Sequence, residues 1–352
     1  MKNINKPYII GETAFHHQGD VQIATELIQN AIKLDLDAIK FHLILDIDDY
    51  MAHDHEAIEI IRPWCLDSDQ WDNILSNIEG IDIILLCNDV KSINYALSSP
   101  FGIKAIEIHS TGLNDVFLLD KASYFKNTVI IGTGGSSLDE IDYAINYLKQ
   151  REKNDIFLMH GFQNYPTVYS DIKLERMNKL SKLFNLPIGY ADHTDPSDKN
   201  NEYISCLGVA NGYNVIEKHF THKFGEKRID SQSAISLEQM KKVQEIAKIT
   251  FESLGREKNL QMSDAEIKYG NTGPMKKAIV AKERIEEGAV ITLENISFKR
   301  TNNSSSLKQN ELHKVLGNKT NSVLEKDEII NLSNVDFSFS INDISQFNNT
   351  EK

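Results

Sequence analysis

Cysteine is scarce in this chain: its 352 residues contain three, Cys65, Cys87 and Cys206. An odd number without the paired spacing of a metal site argues against a disulfide framework and against a thiolate zinc site. We therefore expect reduced, buried thiols, as is typical of a cytoplasmic protein.

An excess of positive charge is also missing. Lys and Arg total 38 against 51 Asp and Glu, which gives a formal net charge of −13. Nucleic acid and anionic membranes are poor partners for such a chain, although a local basic cluster can still bind an anionic substrate. The first seven residues lack the apolar core of a signal peptide, and no apolar run is long enough to span a bilayer. These absences predict a cytoplasmic protein with no nucleic-acid or membrane partner.

Short apolar runs alternate with helical segments over roughly the first 250 residues, a length typical of one large barrel. The runs lie at residues 8–11, 38–43, 81–87, 105–109, 128–132, 156–161, 188–192 and 215–219. Helical periodicity marks segments such as 21–32 and 137–148, the second with Ser137 as N-cap three residues before Glu140. Continuous apolar strands between amphipathic helices indicate a buried parallel sheet. The pattern predicts an α/β fold, a (β/α)8 TIM barrel, with an open doubly wound sheet as the alternative.

The composition changes after this region. We predict a barrel domain over residues 1–256, a polar linker over 257–276 and a small β-rich domain over 277–336. The last residues, 337–352, are rich in Asn and Ser and are expected to form a disordered tail.

Polar side chains gather where the predicted strands end, and in a parallel barrel these positions share one rim. They are Glu12, Lys40, His42, Asn88, Asp89, Glu107, His109, Ser110, Thr133, His160, Asp192, His193, Glu217, Lys218 and His219. A single member is as well explained by a structural ion pair, but the whole ring favours a functional site. His193 and His219 together suit a borderline divalent metal, while Asp192 either orients His193 or caps the next turn.

Two other features point to anions. Lys40 interrupts an apolar strand and needs a negative partner, from the protein or from a ligand. The glycine-rich turn at 132–137 follows a strand and opens a helix, so its amides could hold a phosphate, although this signal is weak alone.

At this point the chain resembles the sialic acid synthase family. The matching stretches are Gly11-Glu12, His17-Gln18-Gly19-Asp20, Asp37-Ala38-Ile39-Lys40-Phe41, Asn164-Tyr165-Pro166-Thr167, Gly189-Tyr190-Ala191-Asp192-His193-Thr194 and Ile216-Glu217-Lys218-His219-Phe220-Thr221. Residues 277–336 resemble the antifreeze-like (SAF) domain of these enzymes, through Val280-Ala281-Lys282, Ile285, Gly288 and Phe298-Lys299-Arg300.

The resemblance implies condensation of phosphoenolpyruvate with an N-acetylated aminosugar aldehyde to give a nonulosonic acid and phosphate. His193 and His219 would hold a divalent metal, usually Mn²⁺, with Mg²⁺ or Co²⁺ as alternatives. Glu12 would position or deprotonate the attacking water.

The resemblance also implies substrate contacts. Lys40, Ser110 and Tyr165 would contact phosphoenolpyruvate, and His42, Glu107, Thr133 and Gln163 occupy other positions of the substrate pocket. Asp230, and Arg300 from the partner subunit of a domain-exchanged homodimer, would contact the sugar.

The chain departs from the family in the phosphoenolpyruvate pocket. Glu107 replaces a lysine, which places a negative charge beside a trianionic ligand at a cost of several kcal/mol unless it is compensated. Gly132 and Ala191 replace serines, Gln163 replaces an asparagine, and His42 replaces a glutamine. These departures keep two alternatives open: a metal-dependent lyase or aldolase that does not use phosphoenolpyruvate, and a catalytically inactive sugar-binding or regulatory homologue.

Overall fold

A computed structural model describes residues 1, 4–162, 164, 167–255 and 261–336. The chain divides into two compact units, Met1–Arg256 and Glu257–Lys352, and each is described by itself. Within the described residues no helix is both long enough and apolar enough to cross a membrane.

The first unit is a closed parallel barrel. Within the described residues its strands pair in chain order and the last pairs with the first. They are β1 Tyr8–Glu12, β2 Ala38–Leu43, β3 Asp82–Cys87, β4 Ile103–Ile108, β5 Thr128–Gly132, β6 Ile156–His160, β7 Ile188–Asp192 and β8 Val215–His219. The predicted TIM barrel is confirmed, and the open-sheet alternative is wrong because β1 and β8 are hydrogen-bonded to each other.

Helices follow the strands of the first unit. They are α1 Val21–Lys33, α2 Ile47–Tyr50, α3 Ile58–Ile61, α4 Ser68–Leu75, α5 Val90–Ser98, α6 Val116–Ser123, α7 Leu138–Gln150, α8 Tyr169–Ile172, α9 Glu175–Phe184, α10 Asn201–Ala210 and α11 Leu237–Leu254. The N-cap predicted at Ser137 is confirmed: its side chain accepts from the Glu140 amide, and the Glu140 side chain accepts from the Ser137 amide.

Alternation along the strands divides the buried side chains between two layers. One side-chain set fills the barrel interior and includes Ile10, Ala38, Ile84, Ile130 and Phe157. A larger set lies between the strands and the surrounding helices. Successive strand residues point to opposite faces. The inward-pointing positions at the carboxyl ends of the strands are therefore the polar residues of the rim.

The second unit has a short helix, α12 Asp264–Tyr269, and two antiparallel strands, β9 Ala278–Ala281 and β10 Ile296–Lys299. Helix α12 begins at a Ser263 capping box and lies in the stretch that the composition suggested as a linker. A separate apolar core, including Ile279, Ile291 and Leu324, packs beneath these strands. The predicted tail, 337–352, lies outside the described residues.

Candidate active site

The barrel register brings the rim residues to one level. Glu12 at the end of β1 is aligned with Lys40 on β2 and with His219 on β8. All three side chains are at least 95% buried. The alignment follows from the sequence, since each residue has the inward-pointing parity of its strand.

A cavity of about 230 Å³ opens at this rim. Its lining combines acidic, histidine and small residues: Glu12, Lys40, His42, Leu86, Glu107, His109, Ser110, Gly132, Gly134, Gly135, Met159, Gly161, Phe162, Ala191, His193, Glu217 and His219. Lys40 is the one lysine among these described lining residues, and none of them is an arginine.

Three carboxylates surround the Lys40 ammonium. Its Nζ lies 2.6 Å from Glu12 Oε2, 2.8 Å from Glu107 Oε2 and 2.7 Å from Glu217 Oε1. We call these four residues the Lys40 cluster. Lys40 Nζ donates a hydrogen bond to Glu107, and the carboxylates of Glu12 and Glu217 lie at ion-pair distance. The negative partner that Lys40 requires is therefore supplied by the protein, and the cluster's one positive and three negative groups leave a formal charge of −2.

Burial shifts the pKa values of the cluster. Burial alone would lower the pKa of Lys40, but the carboxylates of Glu107 and Glu217 outweigh it and raise that pKa above its usual value. Burial, together with repulsion from Glu107, raises the pKa of Glu217 to about 7, although Lys40 opposes the shift. Lys40 is thus a fixed cation, while Glu217 exchanges its proton near neutrality.

His193 and His219 are neighbours in the wall of the cavity, with ring centroids 5.1 Å apart. Burial lowers the pKa of His193 to about 4, and burial lowers that of His219 well below its usual value. Both imidazoles are therefore neutral at pH 7, the form that binds metals.

These residues fit a divalent ion in ligand type and in charge. The two neutral imidazoles supply nitrogen donors, and the adjacent Lys40 cluster has the formal charge that such an ion balances. Within the described ranges, no group of three or more His, Cys, Asp or Glu side chains is arranged to hold a metal. An ion held here would take its other ligands from water or substrate.

Another buried ion pair lies on the outer face of β7 and β8. Lys218 Nζ is 2.6 Å from Asp192 Oδ2, and both side chains are fully buried. Asp192 also accepts hydrogen bonds from Thr194 N and from the hydroxyls of Thr194 and Ser205. The structure shows that Asp192 caps the turn after His193 and pairs with Lys218.

Other predicted residues fall in different places. His42 and Ser110 line the cavity, and His42 Nε2 lies 3.6 Å from Glu12 Oε1. Thr133 lines a neighbouring cavity, and its hydroxyl donates to the Met159 carbonyl. Gln163 and Tyr165 lie outside the described residues.

Each of the two predicted sugar contacts forms a local hydrogen bond. Asp230 lies in the loop after β8 with φ of 61°, and its carbonyl accepts from the Ser233 amide. Arg300 belongs to the second unit, where its Nε donates to the Pro274 carbonyl.

Glu107 and Gly132, two residues expected to depart from the family pattern, lie close together. A Cβ built on Gly132 would lie 3.2 Å from Glu107 Oε1, tighter than ordinary contact. A side chain at position 132 would therefore require the Glu107 carboxylate to move by a few tenths of an ångström. This coupling and the Lys40 cluster escaped sequence reasoning. The inward parity of Glu12, Lys40, Glu107 and Glu217 was the available signal, because it aims all four at the barrel axis.

A closed (β/α)8 barrel with neutral histidines, a lysine and carboxylates converging at the carboxyl ends of its strands has the architecture of a barrel enzyme. The NeuB family model matches residues 27–259. N,N'-diacetyllegionaminic acid synthase of Campylobacter jejuni is 25% identical over 348 residues, covering 93% of this chain and 99% of the relative. An uncharacterized protein of Methanocaldococcus jannaschii is 29% identical over 92% of this chain and 93% of its own length.

A solved structure of a sialic acid synthetase has a similar fold. N-acetylneuraminic acid (sialic acid) synthetase from Leptospira borgpetersenii superposes with a TM-score of 0.68 and 25% identity, over 76% of this chain and 94% of that one. This chain belongs to the NeuB family. It is an enzyme of the sialic acid synthase type, within the general group of nonulosonic acid synthases.

Proposed function

We propose that this enzyme condenses phosphoenolpyruvate with an N-acetylated aminosugar aldehyde. The enol carbon of phosphoenolpyruvate forms a bond to the aldehyde carbon, whose oxygen takes up a proton. Water adds to the phosphate-bearing carbon of phosphoenolpyruvate. The bond between that carbon and the phosphate oxygen then breaks, and the products are a nonulosonic acid and inorganic phosphate. The observation that supports this most is the pair of neutral imidazoles facing the Lys40 cluster at the barrel rim.

His193 and His219 would hold the divalent ion, with Mn²⁺ first and Mg²⁺ or Co²⁺ as alternatives. When bound there, such an ion supplies Lewis-acid polarisation of the sugar aldehyde. The low pKa values of both histidines keep their nitrogens available at neutral pH.

Glu12 is the group we assign to the water. Its Oε1 accepts from the Ala14 amide at 2.7 Å, while Oε2 lies against Lys40. These two contacts fix the orientation of the carboxylate. A fixed carboxylate at the cavity wall can orient a water molecule and accept its proton.

Lys40 is the cation we assign to phosphoenolpyruvate, and its carboxylate partners set the condition for binding. Three carboxylates already face the ammonium, so an incoming anion must displace one or find one neutralised. Glu217 fits this requirement because its pKa of about 7 allows it to be protonated near neutral pH. We propose that the pocket is divergent from the family pattern and that Ser110, His42 and Tyr165 complete it.

The C-terminal unit completes the proposal. We assign residues 277–336 to a SAF-like domain, and we propose a domain-exchanged homodimer in which Arg300 of one chain and Asp230 of the other contact the sugar. The short strands β9 and β10 and their own apolar core agree with a small β-rich domain.

Turnover tests the proposed function. The Mn²⁺-loaded protein is mixed with phosphoenolpyruvate and a panel of N-acetylated hexosamines, and phosphorus NMR follows inorganic phosphate while mass spectrometry follows the product. We expect phosphate to appear only with an accepted sugar, and to be lost in Glu12→Gln. Unchanged phosphoenolpyruvate with every sugar would overturn the proposal.

One observation favours the lyase or aldolase alternative. Glu107 holds the lysine at 2.8 Å and opposes a trianionic donor. This reading predicts that a nonulosonic acid is cleaved by the metal-loaded protein without phosphate. The inactive regulatory homologue instead predicts no turnover in either direction.

A further inference from the structure

A second cavity, of about 220 Å³, adjoins the candidate active site. The two share the loops after β5 and β6, through Gly134, Gly135, Gly161 and Phe162. The second cavity is completed by Thr133, His160, Asp171, Lys173 and Arg176. It therefore brings two cationic side chains next to a rim whose own charged cluster is negative.

Arg176, in the first turn of α9, has more N–H donors than acceptors among the described residues. Its Nη2 donates to the Ser136 carbonyl at 2.6 Å, which ties the half-buried guanidinium to the glycine-rich turn. A guanidinium has five N–H donors in a planar fork, and this one makes no other hydrogen bond or ion pair with a described residue. The remaining donors suit an oxyanion bound in two-point fashion.

Lys173 adds a second cation at the mouth of this cavity. Its side chain is exposed and forms no ion pair with the carboxylates of the described part of the chain. Asp171 is the one carboxylate among the described residues that line the cavity. Two cations against one carboxylate leave the wall with a net positive charge.

The glycine-rich turn supplies backbone donors. Gly135 has φ of +72° and open space where a side chain would stand, so the turn exposes its backbone. The amides of Gly134 and Gly135 donate to no described residue. Exposed amides next to Arg and Lys side chains form the usual cradle for a phosphate group.

His160 is the buried part of the same wall. It is 5% exposed, and its Nε2 donates to the Ile172 carbonyl at 2.8 Å. Its Nδ1 has no hydrogen-bond partner among the described residues. Because Nε2 carries the proton, the unpartnered Nδ1 is an acceptor, so at this wall it can accept a hydrogen bond from water or from a protonated phosphate oxygen.

We propose that Lys173, Arg176 and the Gly134–Gly135 turn form a phosphate-binding subsite for a substrate phosphate. The inference rests on the proposed function and deepens it, since it places the phosphate away from Glu107. The negative Lys40 cluster then faces only the rest of the substrate. This offers a physical route by which a phosphorylated substrate binds beside Glu107.

Inorganic phosphate is the probe for the subsite itself. Calorimetric titration of phosphate into the full chain compares the unmodified protein with the Lys173→Gln/Arg176→Gln double variant. The double variant Lys179→Gln/Lys182→Gln, on α9 but outside the cavity, removes an equal charge as the matched control. We expect the phosphate Kd to rise about tenfold or more in the double variant and to stay within about twofold in the control. An equal Kd in all three proteins would overturn the subsite.

Asp171→Asn provides a test that misfolding cannot mimic. It removes the carboxylate from the cavity wall, so phosphate should bind more tightly than to the unmodified protein. Unchanged or weaker phosphate binding by a normally folded Asp171→Asn protein would contradict the proposed subsite.

The same variants distinguish the source of the phosphate. If the phosphate belongs to phosphoenolpyruvate, the double variant raises the Kd and KM for phosphoenolpyruvate with every sugar. If it belongs to the aminosugar, the variant raises KM only for an N-acetylhexosamine 6-phosphate. Phosphate binding that depends on Lys173 and Arg176 without any turnover would leave the subsite standing and defeat the proposed function. Turnover that does not depend on Lys173 and Arg176 would support the proposed function and overturn the subsite.

Discussion

At the scale of single residues, the most distinctive feature is one lysine shared by three buried carboxylates. Lys40 is 2% exposed, and the carboxylates lie on β1, β4 and β8. Each approaches the ammonium within 2.8 Å. A buried charge left without its partner is far more costly than a surface charge, so stability as well as chemistry depends on this cluster.

Lys40→Met should therefore destabilise the protein strongly. Removing the ammonium leaves Glu12, Glu107 and Glu217 facing one another, and we expect the free energy of unfolding to fall by about 3–5 kcal/mol. Urea denaturation measures it. Lys104→Met is the matched control, since Lys104 pairs with Asp82 at 3.2 Å in a 43% exposed position and should cost less than about 1 kcal/mol. Similar losses in both variants would contradict the account of the cluster.

Histidine burial predicts how stability depends on pH. His17 is fully buried, and burial lowers its pKa to about 4. Between about pH 6.5 and pH 4 the unfolded chain therefore binds a proton that the folded chain does not, so the free energy of unfolding falls as the pH falls. His17→Gln should reduce this slope, whereas the exposed His53→Gln should leave it unchanged. Urea titrations at several pH values check this, and equal slopes in both variants would refute it.

At the scale of elements, the strands could be predicted better than their ends or partners. All eight apolar runs correspond to barrel strands, because buried parallel strands are continuous and apolar. The fourth apolar run predicts a strand over 105–109, but the strand is Ile103–Ile108. The side chain of Lys104, the second residue of this strand, is 43% exposed. Because this lysine interrupts the apolar run, the apolar pattern does not mark that end of the strand.

The site was only partly accessible to sequence reasoning. Strand ends identified His193, His219, Glu12 and Lys40 as neighbours, since the barrel geometry converges there. The particular carboxylates around Lys40 come from strands remote in sequence, so closure of the barrel had to be seen first. The coupling of Glu107 with Gly132 likewise depends on a spacing of 3.2 Å that no pattern encodes.

The loops after β5 and β6 approach each other so closely that one position requires glycine. A Cβ on Gly134 would lie 2.1 Å from the Gly161 carbonyl oxygen. Gly134→Ala should therefore shift this loop and lower the free energy of unfolding by roughly 1–3 kcal/mol. Gly102→Ala meets no atom within 4 Å and is the control. Equal stability of the two variants, measured by urea denaturation, would show that the approach is looser than described.

At the scale of the whole molecule, the proposed domain exchange makes a test by complementation possible. Glu12→Gln and Arg300→Gln should each be inactive alone if Arg300 serves the partner's barrel. Refolding the two together should restore activity, because one site of a mixed dimer then has both groups. No recovery in mixtures that form mixed dimers would contradict the exchange.

The proposed function depends above all on phosphoenolpyruvate binding despite Glu107. Calorimetric titration of phosphoenolpyruvate into the Mn²⁺-loaded protein tests it most directly, with Glu107→Gln and Glu107→Lys measured alongside. We expect the unmodified protein to bind phosphoenolpyruvate and Glu107→Gln to bind it more tightly, since one negative group leaves the Lys40 cluster. Binding that appears only in Glu107→Lys would contradict this expectation, and would favour a lyase or regulatory role instead.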